Sequence, residues 1–354
     1  SSNVLIWYHY AYLYEVTKVS PSQQRKVFER VLSSINKHDL YSLLSIGNIY
    51  SRSARKAPSK KAHDSELAKA MEFYQKALNL ESHSCYAANG IAICLQQKGH
   101  IKEAQEIFSQ LKQNEIDFPD SWINLGHLHM SSNQYGTALN LYENAQHRFY
   151  QDKDPIVFMF MAKCLYCLGR EESNFLYLDR AIACLEQARE LESTDPLFHY
   201  NLAMCQEEFA RLRLSLDTSK RSTSEIEKAT HHIDSAIVMF NQLVNDEENG
   251  KQDDKRHKIY DPKVLKQRLE SCLALRQDAN ALLQRQQNEE QLKQERIQQL
   301  KEIRMQHQQK EQSRLLEEAT LKEEQEKLVR QQREALHEKM KLANQERASK
   351  PDEI

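Results

Sequence analysis

Glycine and proline are scarce. There are 7 of each in 354 residues, about 2% apiece against roughly 7% and 5% in average usage. Sheets and loop-built active sites need turn residues, so this shortage argues against β-rich and loop-rich architectures. An excess of one charge sign is missing too. The 49 Lys and Arg nearly balance the 51 Asp and Glu, for a net charge of −2. The chain as a whole therefore has no basic pull toward nucleic acid or anionic lipid. No run of about 18 or more apolar residues occurs, so no membrane-spanning helix is expected. The nearest stretch, Val4 to Val16, is aromatic-rich but broken by His9 and Glu15. It also lacks the basic start and small-residue cleavage site of a signal peptide. The seven cysteines are scattered and without framework spacing, as in a reducing intracellular compartment. The chain opens on Ser1 rather than Met, which fits a fragment of a longer protein.

What is present is a repeat. Ala70, Ala104 and Ala138 are spaced by 34, and so are Ala88 and Trp122. That is the period of the tetratricopeptide (TPR) helical hairpin, in which large residues of helix A pack against small residues that let helix B approach. The unit at 119–152 carries Trp122, Leu125, Gly126, Tyr135, Ala138, Tyr142 and Ala145. Trp122 is expected between the two helices, Gly126 and Ala138 where backbones cross, and Tyr142 over the next repeat. The preceding unit has Ala88, Ile91, Ala92, Leu95, Gly99, Ile101, Ala104 and Phe108, with Gly99 placed to end helix A in the left-handed region. The unit before that has Leu43, Ile46, Gly47 and Tyr50, then Ala70, Tyr74 and Ala77. Its excess length, the basic 51–65 with Pro58, reads as a surface insertion. A fourth unit starts at Pro155 and closes through Ala181, Leu185 and Ala188. A fifth starts at Pro196 and has a helix B from Glu225 to Val244, after a polar insertion at 218–224. Residues 1–35 read as one more, degenerate unit. The expected fold is thus all-α, a right-handed TPR solenoid over 36–244 preceded by TPR-like helices.

Isolated hairpins of this kind cannot bury their apolar faces, so stacking supplies the core and the superhelix supplies a concave groove. Groove positions recur at the second, fifth, ninth and twelfth places of each helix A. They select Tyr86, Asn89, Ile93 and Gln96, then Ile123, His127 and Met130, then Ile156, Met159, Lys163 and Tyr166, then Leu197, Tyr200 and Met204. This lining is apolar and polar with few charges, suited to a partner's extended peptide or amphipathic helix. Several of these could equally be ordinary inter-repeat core. The fifth position offers Leu44, Asn89, Ile123, Met159 and Tyr200 but no Lys, so the carboxylate clamp of TPR co-chaperones is not expected.

After a charged linker, 245–260, Asp261 and Pro262 read as the cap and first residue of a helix. No Gly or Pro follows until Pro351, which implies a helix of about 130 Å at 1.5 Å per residue. Leu265, Leu269, Cys272, Ala279 and Leu283 form a stripe, so 262–283 should dock on something, with the last repeat the candidate. From 284 to 350 apolar residues thin out and Gln, Glu, Lys and Arg dominate. Glu289–Lys293, Glu318–Lys322, Glu323–Lys327 and Glu326–Arg330 have the favourable i,i+4 order, at roughly 0.2–0.5 kcal/mol each. A coiled-coil seam would have to include Gln286, Glu290 and Lys293. A single charged strut therefore fits better than a dimer, though both readings stand.

Specific words go beyond the repeat consensus. YSLLSIGNIY (41–50), YAANGIAICLQQKGHIKEA (86–104), SWINLGHLHMSSNQY (121–135) and RLESCLALRQDANALLQRQQNEE (268–290) resemble the family of TPR scaffold subunits of the RNA polymerase II-associated factor (PAF) complex. The resemblance covers most of the chain from about residue 24. It implies a nuclear scaffold whose TPR region holds the name-giving and parafibromin-like subunits. It further implies that a long "trestle" helix meets the surface of elongating polymerase, in support of transcription elongation and co-transcriptional histone modification.

No catalytic motif, cofactor site or metal site is expected. Cys164 and Cys167 lie inside helix A of a repeat with no second ligand pair. His127 and His129 point to different sides of a helix, as do His231 and His232. There is no Gly-rich elbow or phosphate loop. Lys255-Arg256-His257-Lys258 reads as a solvated linker run ahead of a nuclear-import or nucleic-acid contact. Two rival readings remain. One is a cytoplasmic TPR adaptor that dimerises through a C-terminal coiled coil; the other is the regulatory TPR region of an enzyme.

Overall fold

The computed structural model describes residues 3–17, 20–114, 117–217, 222–249 and 260–348, with side chains for all of these except 249 and 342–348. Among the described residues there are thirteen α-helices and no strand. The first twelve pair as hairpins: α1 (Val4–Val16) with α2 (Pro21–Ser34), α3 (Leu40–Arg55) with α4 (Lys60–Leu80), and α5 (Cys85–Lys98) with α6 (Ile101–Asn114). They continue with α7 (Pro119–Ser131) and α8 (Tyr135–Tyr150), α9 (Pro155–Glu171) and α10 (Phe175–Leu191), and α11 (Pro196–Leu214) and α12 (Thr223–Asn249). Each of these packs on the next in sequence, and first helices also meet across repeats, α3 on α5, α5 on α7 and α9 on α11. That is TPR stacking, as the 34-residue period required.

The helix starts are written locally. Asp154 Oδ1 accepts from the N–H groups of Ile156 and Val157 at 2.8 and 2.9 Å. Asp195 Oδ1 accepts from Leu197 at 2.8 Å and Asp261 Oδ1 from Lys263 at 2.9 Å. A proline follows each aspartate at the first helical position, where its missing N–H costs nothing. Each such cap contributes about 0.5–2 kcal/mol. The α5 helix ends at Gly99 with φ +91°, and the His100 N–H reaches back to the Leu95 carbonyl at 3.0 Å, the left-handed stop that only glycine takes without strain.

Close packing rests on tyrosines of second helices seated against glycines of first helices. The Tyr74 ring of α4 lies so near Gly47 of α3 and Gly90 of α5 that a Cβ would sit 2.6 and 2.5 Å from it. Its hydroxyl donates to Asn48 Oδ1 at 2.7 Å. Tyr142 of α8 treats Gly126 of α7 the same way, at 2.5 Å. Ala138 and Tyr142 are buried. Trp122 is half-buried, with Lys112 and Arg148 over its ring and Phe149 edge-on.

Two boundaries differ from the expectation. The 51–65 stretch, expected as a separate surface insertion, is mostly helix: 51–55 continue α3 and 60–65 open α4, leaving a turn at 56–59. Both helices lengthen together because the added residues have something to bury; Ala54 and Leu67 join one core cluster and Ser51 is 5% exposed. Similarly, 245–249 belong to α12 rather than to a linker. That helix begins at Thr223, where the Ser222 N–H donates to Glu225 Oε2 at 2.9 Å, half of a capping box. The remaining linker residues 250–259, with the basic run Lys255 to Lys258, and the insertion residues 218–221 lie outside the described residues.

The last helix, α13 (Pro262–Ala348), has 87 residues. The chain divides into two compact units, 1–280 and 281–354. Within the first unit, α13 contributes Leu265, Cys272 and Ala279, each at 0% exposure and seven residues apart. Polar ties surround that stripe. Ser271 Oγ donates to Glu207 Oε1 at 2.9 Å, Arg276 meets Asp234 at 2.6 Å, and Lys266 meets Glu248 at 2.8 Å. Glu207, 1% exposed, is also held by Arg211 and by Arg268 at 3.5 Å. In the second unit every described side chain from 291 to 341 is exposed. Of the four anticipated i,i+4 ion pairs, Glu323–Lys327 closes, at 3.4 Å. Amide–carboxylate pairs share the role, Gln291 with Glu295 at 3.2 Å and Gln298 with Glu302 at 3.4 Å.

Candidate functional site

A cavity of about 730 Å³ opens along α7, α9 and α11, with walls from α8 and α10. Eight groove positions named from the repeat register line it: His127, Met130, Met159, Lys163, Tyr166, Leu197, Tyr200 and Met204. Six others do not. Gln96 is half-buried and Ile156 exposed, both outside the lining. Tyr86 is 62% exposed and edge-on to Phe118. Asn89 is buried and accepts from Asn124 Nδ2 at 2.9 Å, joining two repeats. Ile93 packs into the α5–α8 core, and Ile123 is half-buried away from the cavity.

Register counting missed Tyr135, Tyr142, Phe160, Cys167 and Asn201 as lining residues. The first two belong to α8, a second helix, which a rule written for first helices cannot find. Tyr142 was legible only as core. It is core on one side, against Gly126, and cavity floor on the other.

The floor is an uncharged polar–aromatic knot. His127 Nδ1 lies 2.7 Å from the Tyr142 hydroxyl. Phe160 stands edge-on to His127 with ring centroids 4.5 Å apart, and 5.5 Å from Tyr142. Burial holds the His127 pKa down at about 4, with Lys163 and Arg55 adding to the effect. Burial also raises the Tyr142 hydroxyl above its ordinary value. Both are therefore neutral near pH 7. The walls are soft, with Met130, Met159 and Met204 beside Tyr166 and Tyr200. Tyr200 carries Tyr260 stacked on it at 4.3 Å, so the approach to α13 begins against a residue of the cavity wall.

Nucleophilic or metal chemistry finds no support in these groups. The Cys164 thiol is turned to Met130 Sδ at 3.1 Å, and burial pushes its pKa up to about 12. Burial raises Cys167 as well. His232 is buried edge-on to Phe209 at 5.0 Å, apart from His231. Among the described residues no group of three or more His, Cys, Asp and Glu could hold a metal ion. None of the described helices is long and apolar enough to cross a membrane.

No family model matches the sequence. The solved APC/C hetero-tetramer Cut9–Hcn1 superposes with a TM-score of 0.50 at 15% identity, over 77% of this chain and 43% of that one, a likeness of fold alone. The chain is 31% identical over 210 residues to RNA polymerase-associated protein CTR9 of Caenorhabditis elegans, covering 57% of this chain and 18% of that protein. It is 24% identical over 229 residues to the Saccharomyces cerevisiae protein of that name, covering 61% and 21%. The chain spans about a fifth of the length of these curated relatives. Across about 60% of its length, then, this TPR chain is a homologue of the proteins named CTR9.

Proposed function

We propose that the chain is the part of a PAF-complex scaffold subunit in which TPR repeats pass into the long helix. In this reading the repeats gather other subunits, the name-giving and parafibromin-like ones among them. The long helix meets the surface of elongating RNA polymerase II in the nucleus. The work is assembly rather than catalysis, in service of elongation and co-transcriptional histone modification. The observation that carries this reading is the 31% identity to an RNA polymerase-associated protein. Two physical features support it. The cavity has the size and soft lining of a polypeptide site. The second unit has a fully exposed described surface over 291–341 that buries nothing of its own, as a helix held ready for an external partner would.

The test is copurification. Tagged chain expressed in cells and recovered from nuclear extract should bring down PAF-complex subunits and polymerase. Removing 281–354 should retain the subunits and lose polymerase. Recovery of neither, from extract in which both are detectable, rejects the assignment.

A further inference from the structure

Among the described residues, Lys163 is the only charged side chain lining the cavity, and no carboxylate lines it. Its ammonium is exposed and forms no ion pair among the described residues. Carboxylates nearby are committed or peripheral. Glu143 is tied to Arg180 at 2.9 Å, and Glu208 lies 3.6 Å from both Arg170 and Arg211. Glu171 does not line the cavity, though its charge reaches Cys167 and Tyr135 on the wall and not the His127 floor. The charges that do reach His127 are Lys163 and Arg55, both positive.

This asymmetry selects among occupants. A segment that fills the cavity with apolar side chains strips water from the Lys163 ammonium. A stripped, unpaired cation is costly, so a purely apolar segment gains less than the wall area offers. A cationic segment adds repulsion. A carboxylate placed among apolar residues recovers the ammonium's lost hydration through a charge-assisted hydrogen bond. The three methionines lining the wall can adapt to flanking side chains of varied shape.

We propose that the cavity takes an apolar segment of a partner protein that carries an acidic side chain, its carboxylate paired with Lys163 and its apolar neighbours held by the methionine and tyrosine walls. This rests on the partner-binding reading above and adds the chemistry of what is bound.

A displayed random-peptide library selected on the intact chain provides the probe. Selection on the native chain should enrich peptides with Asp or Glu flanked by apolar residues. Selection on Lys163→Glu should enrich Lys or Arg there instead. By fluorescence anisotropy, one enriched acidic peptide should bind Lys163→Gln about tenfold more weakly. Met159→Arg, which fills the cavity, should remove binding altogether. Lys163 is exposed, so both its variants should keep the native unfolding midpoint. Enrichment of the same peptides on native and Lys163→Glu chains would overturn the carboxylate inference and leave the groove reading standing. No enrichment on the native chain would sink the groove reading itself. A chain that sediments as a dimer, and becomes monomeric on Lys163→Glu, would replace the partner protein with a second copy and refute the proposal as stated.

Discussion

Gly90→Ala should destabilise the repeat unit, although alanine is the better helix former. A Cβ on Gly90 would lie 2.5 Å from two carbons of the Tyr74 ring, against about 3.4 Å or more in ordinary contact, so the ring must retreat by nearly 1 Å. Its far side is closed, because a Cβ on Gly47 would be only 2.6 Å away. Its hydroxyl is fixed on Asn48 at 2.7 Å. Overpacking of this kind costs about 1–3 kcal/mol, and a ring clamped on both sides belongs at the upper end. The gain in helix propensity returns at most about 1 kcal/mol. The expected net loss is about 2 kcal/mol. The ceiling is set by full expulsion of the ring, about 4–6 kcal/mol at ~25 cal/mol per Å² for the ~150–250 Å² that an aromatic buries.

The assay is urea unfolding followed by tryptophan fluorescence, since Trp7 and Trp122 both lie in the first unit and report on the repeats alone. Two companions make the result diagnostic. Gly136→Ala, in α8 with nothing within 4 Å of its added Cβ, should be neutral or stabilising by up to about 1 kcal/mol. Gly90→Ala in a Tyr74→Leu background should lose most of its penalty, since the clash partner is gone. A Gly90→Ala chain at least as stable as the native one would refute the account of the tyrosine slots.

Leu265→Ala should cost about 2–5 kcal/mol locally, read as faster amide exchange over 262–280 with exchange in α5–α8 unchanged; unaltered exchange there would mean that the stripe is not what holds α13. Acid should weaken the repeats through His232, whose pKa burial holds down at about 4, with Lys228 and His231 adding to the effect and Asp179 opposing it. The unfolded chain takes up a proton near pH 6.5 that the native site refuses, so this contribution to stability is complete above about pH 6.5 and is lost as pH falls toward 4. His232→Leu should flatten that part of the stability–pH curve; an unchanged slope would show that the imidazole is not neutral in the fold.

The repeat was legible because its signals are local or strictly periodic: alanines every 34 residues, aspartate–proline starts, a glycine stop. The two misplaced boundaries were not, and for one reason. Whether a helix continues past its consensus length depends on what its extra turns can bury. Ser51 and Ala54 find cover only because α4 lengthens in step with α3. Composition reads such residues as polar or basic surface, and Pro58 reinforces that reading, although it sits in the short turn at 56–59. The cavity was legible in part for a related reason. Helix register says which side a residue is on, but not whether the neighbouring repeat covers it. Asn89 and Ile93 occupy groove positions and are closed over by the repeat that follows, whereas His127, Lys163 and Tyr200 remain open to the cavity.

The long helix shows two ways of stabilising one secondary structure. Over 262–280 it is held by tertiary contact: three buried side chains at heptad spacing, plus the carboxylate of Glu207 shared by Ser271 and Arg268. Over 291–341 it buries nothing, and each closed i,i+4 pair contributes only a few tenths of a kcal/mol. Helix formation is cooperative with an unfavourable nucleus, and each residue added after nucleation is close to neutral or better for good formers. The Gln-, Glu-, Lys- and Arg-rich sequence beyond 284 consists of such formers. The docked turns, started by Asp261 and Pro262, therefore supply the nucleus, and the charged sequence has only to propagate it. That division leaves the described side chains over 291–341 without packing duties in the fold. Their identities can answer to an external surface instead. Substitutions along 291–341 should then alter partner binding while leaving the folding of the repeats unchanged.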